Sequence, residues 1–444
     1  YSILSFFKQS FNIDAGRKTF CGLYCIRTFY TLTMANIRPF RALRPLQQLV
    51  EQVATLPYDV MNTAEAKAMA EGNPNSFLHV SRAEIDLPQE VDIHSAAVYA
   101  KANENFRKLI ADGVLVQEEK PCYYIYAQTM NGRRQFGIAA CSSIDDYFSD
   151  TIKKHEFTRP EKELDRIQHM EAVQAHVGPI FLTYPTNNTI KEIVASVSAG
   201  APTYAFTAVD GVTHQLWIVN DDALIQKIST TFSTEIPFTY IADGHHRAAS
   251  AAKVGLKLRE NGGNSDAEYN FFLSVLFPSD ELAIMDYNRL VKDLNGYSAN
   301  EFIDKIKVNF ELNSIADTEA KPKQPNHFGM YLDQQWYRLT AKSNIIKTDP
   351  IGILDVTILQ DNVLAPLLNI IDPRTDTRID FVGGIRGLGE LKKRVDSGEH
   401  QVAFALYPVS LEQLIAIADS GNVMPPKSTW FEPKLRDGLL CHLF

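Results

Sequence analysis

The chain has 444 residues, a net charge of −9, 45% hydrophobic and 22% charged residues. That length exceeds one ordinary core and implies two or three domains. No apolar run approaches the ~20 residues needed to cross a bilayer, and the acidic balance lacks the clustered Lys and Arg that sequence-independent binding to nucleic acid or anionic membrane requires.

The five cysteines form no paired framework, which is the usage of a reduced, cytoplasmic compartment. Cys21 and Cys25 lack the second pair that a zinc site needs, so no metal is assigned to them.

Residues 1–33 carry four Lys/Arg against one Asp, and removing them takes the charge from −9 to −12. They lack a secretory signal's apolar core and cleavage site. Met34 opens "MANIRPFRALRP", which reads as a natural beginning, so 1–33 are expected to be an extension from a mis-called start or a fragmentary gene model, with a targeting segment as the lesser alternative.

Residues 37–60 read as an extended, proline-rich entry containing "LPYDV". "TAEAKAMAEGNPNSFLHV" predicts a helix ended by Gly72, a turn and a strand, and "IHSAAVYAKANENFRKLIADGVL" a helix stopped at Gly113. Two strand-like runs around Asn131-Gly132 predict a hairpin. Residues 144–177 read as largely helical; a strand, a helix over 189–199 and a hairpin around Asp210-Gly211 follow. A helix near 220–229 leads into "IPFTYIADGHHRAASAAKVG", and two strands close this part. Beyond residue 295 come a helix, the hairpin "HFGMYLDQQWYRLTA", a helix around 352–368, the turn "GGIRGLGE", a strand, a helix and the tail "MPPKSTWFEPKLRDGLL". The mixed order predicts an α+β (mixed α/β) fold, with an N-terminal region over 34–294 and a C-terminal region over 295–444.

"ADGHHRAAS" is the stretch richest in chemistry. A strand ends at Ala242 and an Ala-rich helix follows, so free backbone N–H groups and the positive helix end meet in one turn. Such a step is a ready anion site. Gly244 permits close approach of a phosphate, Arg247 can grip it in two-pronged fashion, His245 and His246 can donate hydrogen bonds or move a proton, and Asp243 can orient a histidine or help place Mg²⁺. The structural alternative is that Asp243 merely caps the helix and the histidines are surface or core residues. A metal site is a lesser rival, because neighbouring histidines rarely both reach one metal.

In "KKHEFTRPEKELDRIQHM", His155, Glu156, Thr158, Asp165 and Arg166 offer a general base and partners; the alternative is a solvated helix with i,i+4 charge pairs. In the tail, Lys427, Ser428, Thr429 and Lys434 lie beside prolines and aromatics that suggest packing, with the lysines aimed at a phosphate or at solvent. "GGIRGLGE" is neither a P-loop nor a spaced G-x-G-x-x-G. Asp59 of "LPYDV" stands in a tight turn and has no role on its own.

Together "IRPFRALRP", "PYDV", "NPNSF", "HEFTRPEKELDR", "IADGHHRAASA" and "MPPKSTWFEPKLRDGL" resemble the DUF1015 family across residues 34–444. Within it, the DGHHR turn (Asp243, Gly244, His245, His246, Arg247) resembles the phosphate-binding turn of the ParB/sulfiredoxin-like superfamily. That resemblance implies a nucleotide-binding core of this type and, through the superfamily's free serine kinases, a link to serine metabolism. In those kinases a glutamate is the base on the serine hydroxyl; Glu156, in its "HEFT" setting, is the candidate here.

The expected function is phosphoryl transfer between a nucleotide, ATP or ADP, and serine or phosphoserine, in kinase or phosphatase direction, with Mg²⁺ as a candidate cofactor. Gly244, Arg247, Lys427, Ser428, Thr429 and Lys434 would hold phosphates. Glu156, His155, Asp243, His245 and His246 would do the chemistry, with Asp59, Thr158, Asp165 and Arg166 in support. The alternative is a nucleotide-binding regulatory module without turnover. A DNA-partitioning relative is disfavoured by the acidic balance.

Overall fold

Asn131 and Gly132 both adopt positive φ (52° and 78°), the conformation a two-residue hairpin demands. They fold the runs on either side into an antiparallel pair from Met130↔Arg133 to Tyr124↔Ala139. The structure, a computed structural model, describes residues 34–264 and 266–444. The extension 1–33, with Cys21 and Cys25, lies outside the described residues.

The hairpin sits inside a nine-stranded sheet. Its strands are β1 (Ile37–Arg38), β2 (Tyr123–Met130), β3 (Arg133–Ser143), β4 (Ile152–Lys153), β5 (Ile180–Tyr184), β6 (Tyr204–Thr207), β7 (Thr213–Val219), β8 (Thr239–Asp243) and β9 (Phe271–Pro278). The order is β4-β8-β5-β9-β3-β2-β7-β6, with β1 added to β3. β8 runs parallel to β4, and β9 parallel to β5; the other pairs are antiparallel. A second, six-stranded antiparallel sheet contains β10 (Tyr287–Val291), β11 (Phe310–Ile315), β12 (His327–Leu332), β13 (Gln335–Ala341), β14 (Ile379–Gly383) and β15 (Val402–Ala405), in the order β11-β13-β12-β15-β10-β14. The mixed α/β architecture is as expected.

The change of sheet comes earlier than residue 295, because β10 already belongs to the second sheet. One buried cluster takes Tyr124 and Phe181 from the first sheet and Phe328 and Phe404 from the second. The tail then returns to the first half: Asp437 bridges Thr55, Cys441 bridges Leu43, and His442–Leu443 pairs with Ala175–His176.

Three local readings change. "SFLHV" forms a short helix, Leu78–Ser81, because Phe77, Leu78, Val80 and Ser81 are all buried, at the one-, three- and four-residue spacings of a helical turn rather than the alternation of a strand. The run 144–177 splits into Ile144–Phe148, the short β4, a loop, and the helix Pro160–Val173; Pro160 at the first turn fixes where that helix starts. The expected helix over 352–368 shortens to Asp355–Leu359 followed by a π-helical turn, Gln360–Leu364.

Three helices position the site: α1 (Ala96–Ala111), α2 (Pro160–Val173) and α3 (His245–Glu260). α3 buries Ala248, Ala249, Ala251 and Ala252 along one length, small side chains that let it lie close to the sheet. Its Gly255 lets a carbonyl approach: a Cβ there would stand 2.2 Å from the Tyr269 oxygen. Among the described residues no helix is long and apolar enough to cross a membrane. Replacing Gly255 with alanine should therefore destabilise the fold by about 1–3 kcal/mol, read as a lowered midpoint in urea unfolding; an unchanged or raised midpoint would contradict this packing.

Candidate active site

β8 ends in a register shift between Ile241 and Asp243 against β5, which turns the Asp243 carboxylate out of the ladder. Gly244 follows at φ 96° and caps α3 without any side-chain hydrogen bond. The first amide with an intrahelical partner is that of Ala248, which donates to the Gly244 carbonyl (2.9 Å). Among the described residues no acceptor serves the amides of His245, His246 and Arg247, so a sixteen-residue helix presents its positive end uncapped. Glycine is required twice over. Beyond its left-handed φ, a Cβ at this position would press on the Arg247 guanidinium at 3.1–3.3 Å.

A cleft of about 300 Å³ opens at this helix start, lined by Tyr58, Asp59, Glu156, Asp243, Gly244, His245, His246 and Arg247. Strand β4, parallel to β8, carries the "HEFT" segment to the cleft, and the "PYDV" turn supplies the other wall. Three segments distant in sequence thus converge here: 58–59, 156 and 243–247.

Arg247 is 5% exposed. Its Nη1 donates to the Pro179 carbonyl (2.5 Å) and its Nη2 to Asp243 Oδ2 (3.3 Å), while the buried Nε has no partner among the described residues. The two-pronged grip on a phosphate expected from the sequence is therefore partly taken up by protein acceptors; Arg247 acts as a fixed cation in the cleft wall. Lys434, 3.5 Å from Asp243 Oδ2, is a second cation, packed over Trp430. Burial alone would raise the Asp243 carboxyl, but Lys434 and Arg247 outweigh it and hold it down to about 2. Burial works against the Lys434 charge, yet Asp243 and Glu432 raise its pKa.

The histidines are neutral groups. Burial lowers His245 to about 3, against the opposing pull of Asp243. Its Nε2 accepts a long hydrogen bond from the His155 amide (3.5 Å), which leaves the proton on Nδ1, 3.7 Å from Glu156 Oε2. His246 Nε2 accepts from the Arg159 amide (3.0 Å), tying α3 to the start of α2, and burial, then Arg159, lowers its pKa. His155 is fully buried, edge-on to His245 at 4.4 Å, with neither ring nitrogen bonded among the described residues; burial, then His245, lowers it to about 3. It stands behind the cleft rather than in it.

The remaining candidates separate by place. Thr158 bonds to Glu163, whose carboxylate also takes Lys253, at the foot of α2. Asp165 accepts from His94 (3.0 Å), Tyr99 (2.9 Å) and Arg166 (2.8 Å), a buried structural network. Lys427, Ser428 and Thr429 do not line the cleft. Ser428 donates to the Pro425 carbonyl (2.6 Å), the Lys427 carbonyl accepts from buried Arg289 (2.9 Å), and the Lys427 ammonium rests over Tyr287, so this turn is clamped to the second sheet.

Two residues gain significance only in three dimensions. Tyr58 carries the Arg166 guanidinium on its ring face (3.8 Å). Asp437 is 2% exposed, beside Arg247, Asp59 and Arg166. Both lie in motifs quoted above, "PYDV" and "PKLRDGL", but their chemistry depends on burial that spacing does not reveal.

Residues 37–357 match the family described as "Protein of unknown function (DUF1015)". The chain belongs to the DUF1015 family. No curated protein matches it in sequence. Solved structures resemble this DUF1015 chain distantly. A free serine kinase in complex with AMP is 13% identical, covers 64% of this chain and 84% of its own, and has a TM-score of 0.31. A conserved hypothetical protein from Pyrococcus furiosus is 16% identical, with 65% and 90% covered and a TM-score of 0.32. C-terminally truncated SbnI from Staphylococcus aureus is 11% identical, with 68% and 86% covered and a TM-score of 0.37. Function is therefore read from the site's own residues.

Asp437 offers a pH test of the site's burial. Desolvation raises its carboxyl to about 7, while Arg247 and Arg166 pull it down and Asp59 pushes it up. The folded state then holds a proton that the unfolded chain releases near pH 4. Stability should fall as pH rises from about 4 through 7. Asp437→Asn should gain on the wild type across that window by on the order of a few kcal/mol, measured by denaturant unfolding at pH 5 and pH 8; an equal difference at both would contradict the buried carboxyl.

Proposed function

We propose that this cleft transfers a phosphoryl group between a nucleotide and the hydroxyl of a small amino acid of the serine type. The observation that carries the reading is the uncapped helix start at Gly244, with its three free amides facing a polar cleft that also contains Glu156. Anionic oxygens suit such a helix end, and a carboxylate within the same cleft suits the acceptor's proton. The serine identity comes from the resemblance of the DGHHR turn to that of the free serine kinases.

In the kinase direction, the nucleotide phosphates lie against the amides of His245, His246 and Arg247. Gly244 keeps the approach open, and Arg247 and Lys434 offset charge from behind Asp243. The acceptor oxygen bonds the terminal phosphorus as the bond to the nucleotide's bridging oxygen breaks, and the hydroxyl proton passes to Glu156. His245, neutral and with Nδ1–H toward Glu156, positions that carboxylate. Little covalent chemistry is asked of the protein beyond this alignment.

Asp59, Glu156 and Asp243 make the cleft rim acidic, which disfavours a bare polyphosphate. Among the described residues there is no preformed group of three or more metal-ligating side chains. Magnesium carried by phosphates needs only one or two carboxylates, so Asp59 and Asp243 would hold it; when bound it would neutralise phosphate charge.

Incubation with ATP, ADP or phosphoserine, with and without Mg²⁺ and serine, followed by mass detection of products, should show phosphate movement in at least one combination. Glu156→Gln should then cut turnover by about 10²–10⁴-fold with nucleotide affinity retained. No transfer in any combination, with nucleotide still bound, would leave a regulatory nucleotide-binding module instead.

A further inference from the structure

Adjoining the cleft is a second pocket that shares the Tyr58 and Arg247 wall with it. The transfer just described gives this inner chamber no role, yet its polar lining is specific. On one side stand two guanidinium groups. Arg166 directs Nε and Nη2 to a single oxygen, Asp165 Oδ2 (2.8 and 2.7 Å), and its plane is fixed on the Tyr58 ring. Its Nη1 has no protein acceptor among the described residues. Arg247 completes the pair: its Nη1 is taken by the Pro179 carbonyl (2.5 Å), its Nη2 has a 3.3 Å contact to Asp243, and its Nε has no partner among the described residues.

On the other side is Asp437. Its Oδ1 is buried and has no partner among the described residues, it is packed so closely on Gly178 that a Cβ there would lie 2.4 Å away, and a backbone hydrogen bond at Tyr58 serves the same carboxyl. The other titratable groups in the wall, His169 and His176, add no charge: burial lowers the first to about 4 and the second well below its ordinary value. The chamber therefore sets two guanidinium groups opposite the Asp437 carboxyl, whose Oδ1 has no partner among the described residues. Alone, that carboxyl keeps a proton up to about pH 7, and a ligand cation beside it would displace the proton. A simple carboxylate or inorganic phosphate would satisfy the guanidiniums but bring no cation to Asp437. A zwitterion satisfies both sides.

We propose that the inner chamber holds the acceptor amino acid, its α-carboxylate on Arg166 and Arg247 and its α-ammonium on Asp437, with the hydroxyl side chain directed past Tyr58 toward Glu156. This inference takes its acceptor from the function proposed above and adds where and how that acceptor is recognised. Arg247 then touches both compartments, which couples occupancy of one to the other. Asp437 is a binding residue, and the discrimination it makes is for an amino group.

The test is calorimetric titration of the full chain with L-serine, 3-hydroxypropionate (serine without its amino group) and ethanolamine (serine without its carboxylate), and separately with ADP. Wild type should bind L-serine at least tenfold more tightly than either truncated compound. In Asp437→Asn, L-serine should lose its advantage over 3-hydroxypropionate while the Kd for ADP stays within twofold. The wild-type ligand series stands even where the variant fails to fold. Equal affinities for serine and 3-hydroxypropionate, serine displaced by equimolar inorganic phosphate, or no serine binding at all would overturn the assignment. The two readings fail separately. Serine discrimination without phosphoryl transfer sinks the transfer reading alone; transfer to serine with discrimination intact in Asp437→Asn sinks the chamber assignment alone.

Discussion

The site depends on one backbone constraint, the left-handed turn at Gly244 between β8 and α3. At φ 96° the chain passes from strand to helix within a single residue, so no side chain stands in front of the first helical amides. The same absence of a Cβ lets the Arg247 guanidinium fold back beneath the turn. Had the cap been Ser or Asp, its side chain would have satisfied one of those amides and closed the helix end. The missing cap leaves an open donor set, and burial of the helix body on small alanines holds that set rigid.

Around this turn the buried charges depend on one another. Arg247 is held by Asp243 and the Pro179 carbonyl, Asp243 by Lys434, and Asp437 lies within the field of both buried arginines. Removing one partner from such a network leaves another buried without compensation, which is costly. Lys434 and Asp437 arrive from the last few turns of the chain, and that tail is stitched to Thr55, Leu43 and His176. The end of the sequence thus builds the floor of a site whose rim comes from its first hundred residues and its middle.

The strand–turn–helix step was legible in the sequence because its signals are local: an apolar run, one glycine, then alanines at successive positions. The same holds for the hairpins at Asn131-Gly132 and Asp210-Gly211. What sequence spacing could not supply was long-range convergence. Read by itself, "HEFTRPEKELDR" is as consistent with a solvated helix, and only the parallel pairing of β4 with β8 brings Glu156 to His245. Burial was equally invisible. It makes His155 and His245 neutral, ties Arg247 to protein acceptors, and gives Asp437 and Tyr58 their importance. The Lys427–Thr429 turn was misplaced for a related reason: Arg289, 138 residues earlier, clamps it to the second sheet.

Backbone ¹⁵N–¹H resonances followed during titration with ADP and Mg²⁺ test whether the open amides at the start of α3 receive a nucleotide's phosphates. The signals of His245, His246 and Arg247 should shift together and saturate with a single Kd, with Gly244 moving alongside. Saturating binding that leaves these four unmoved while amides elsewhere shift would contradict it.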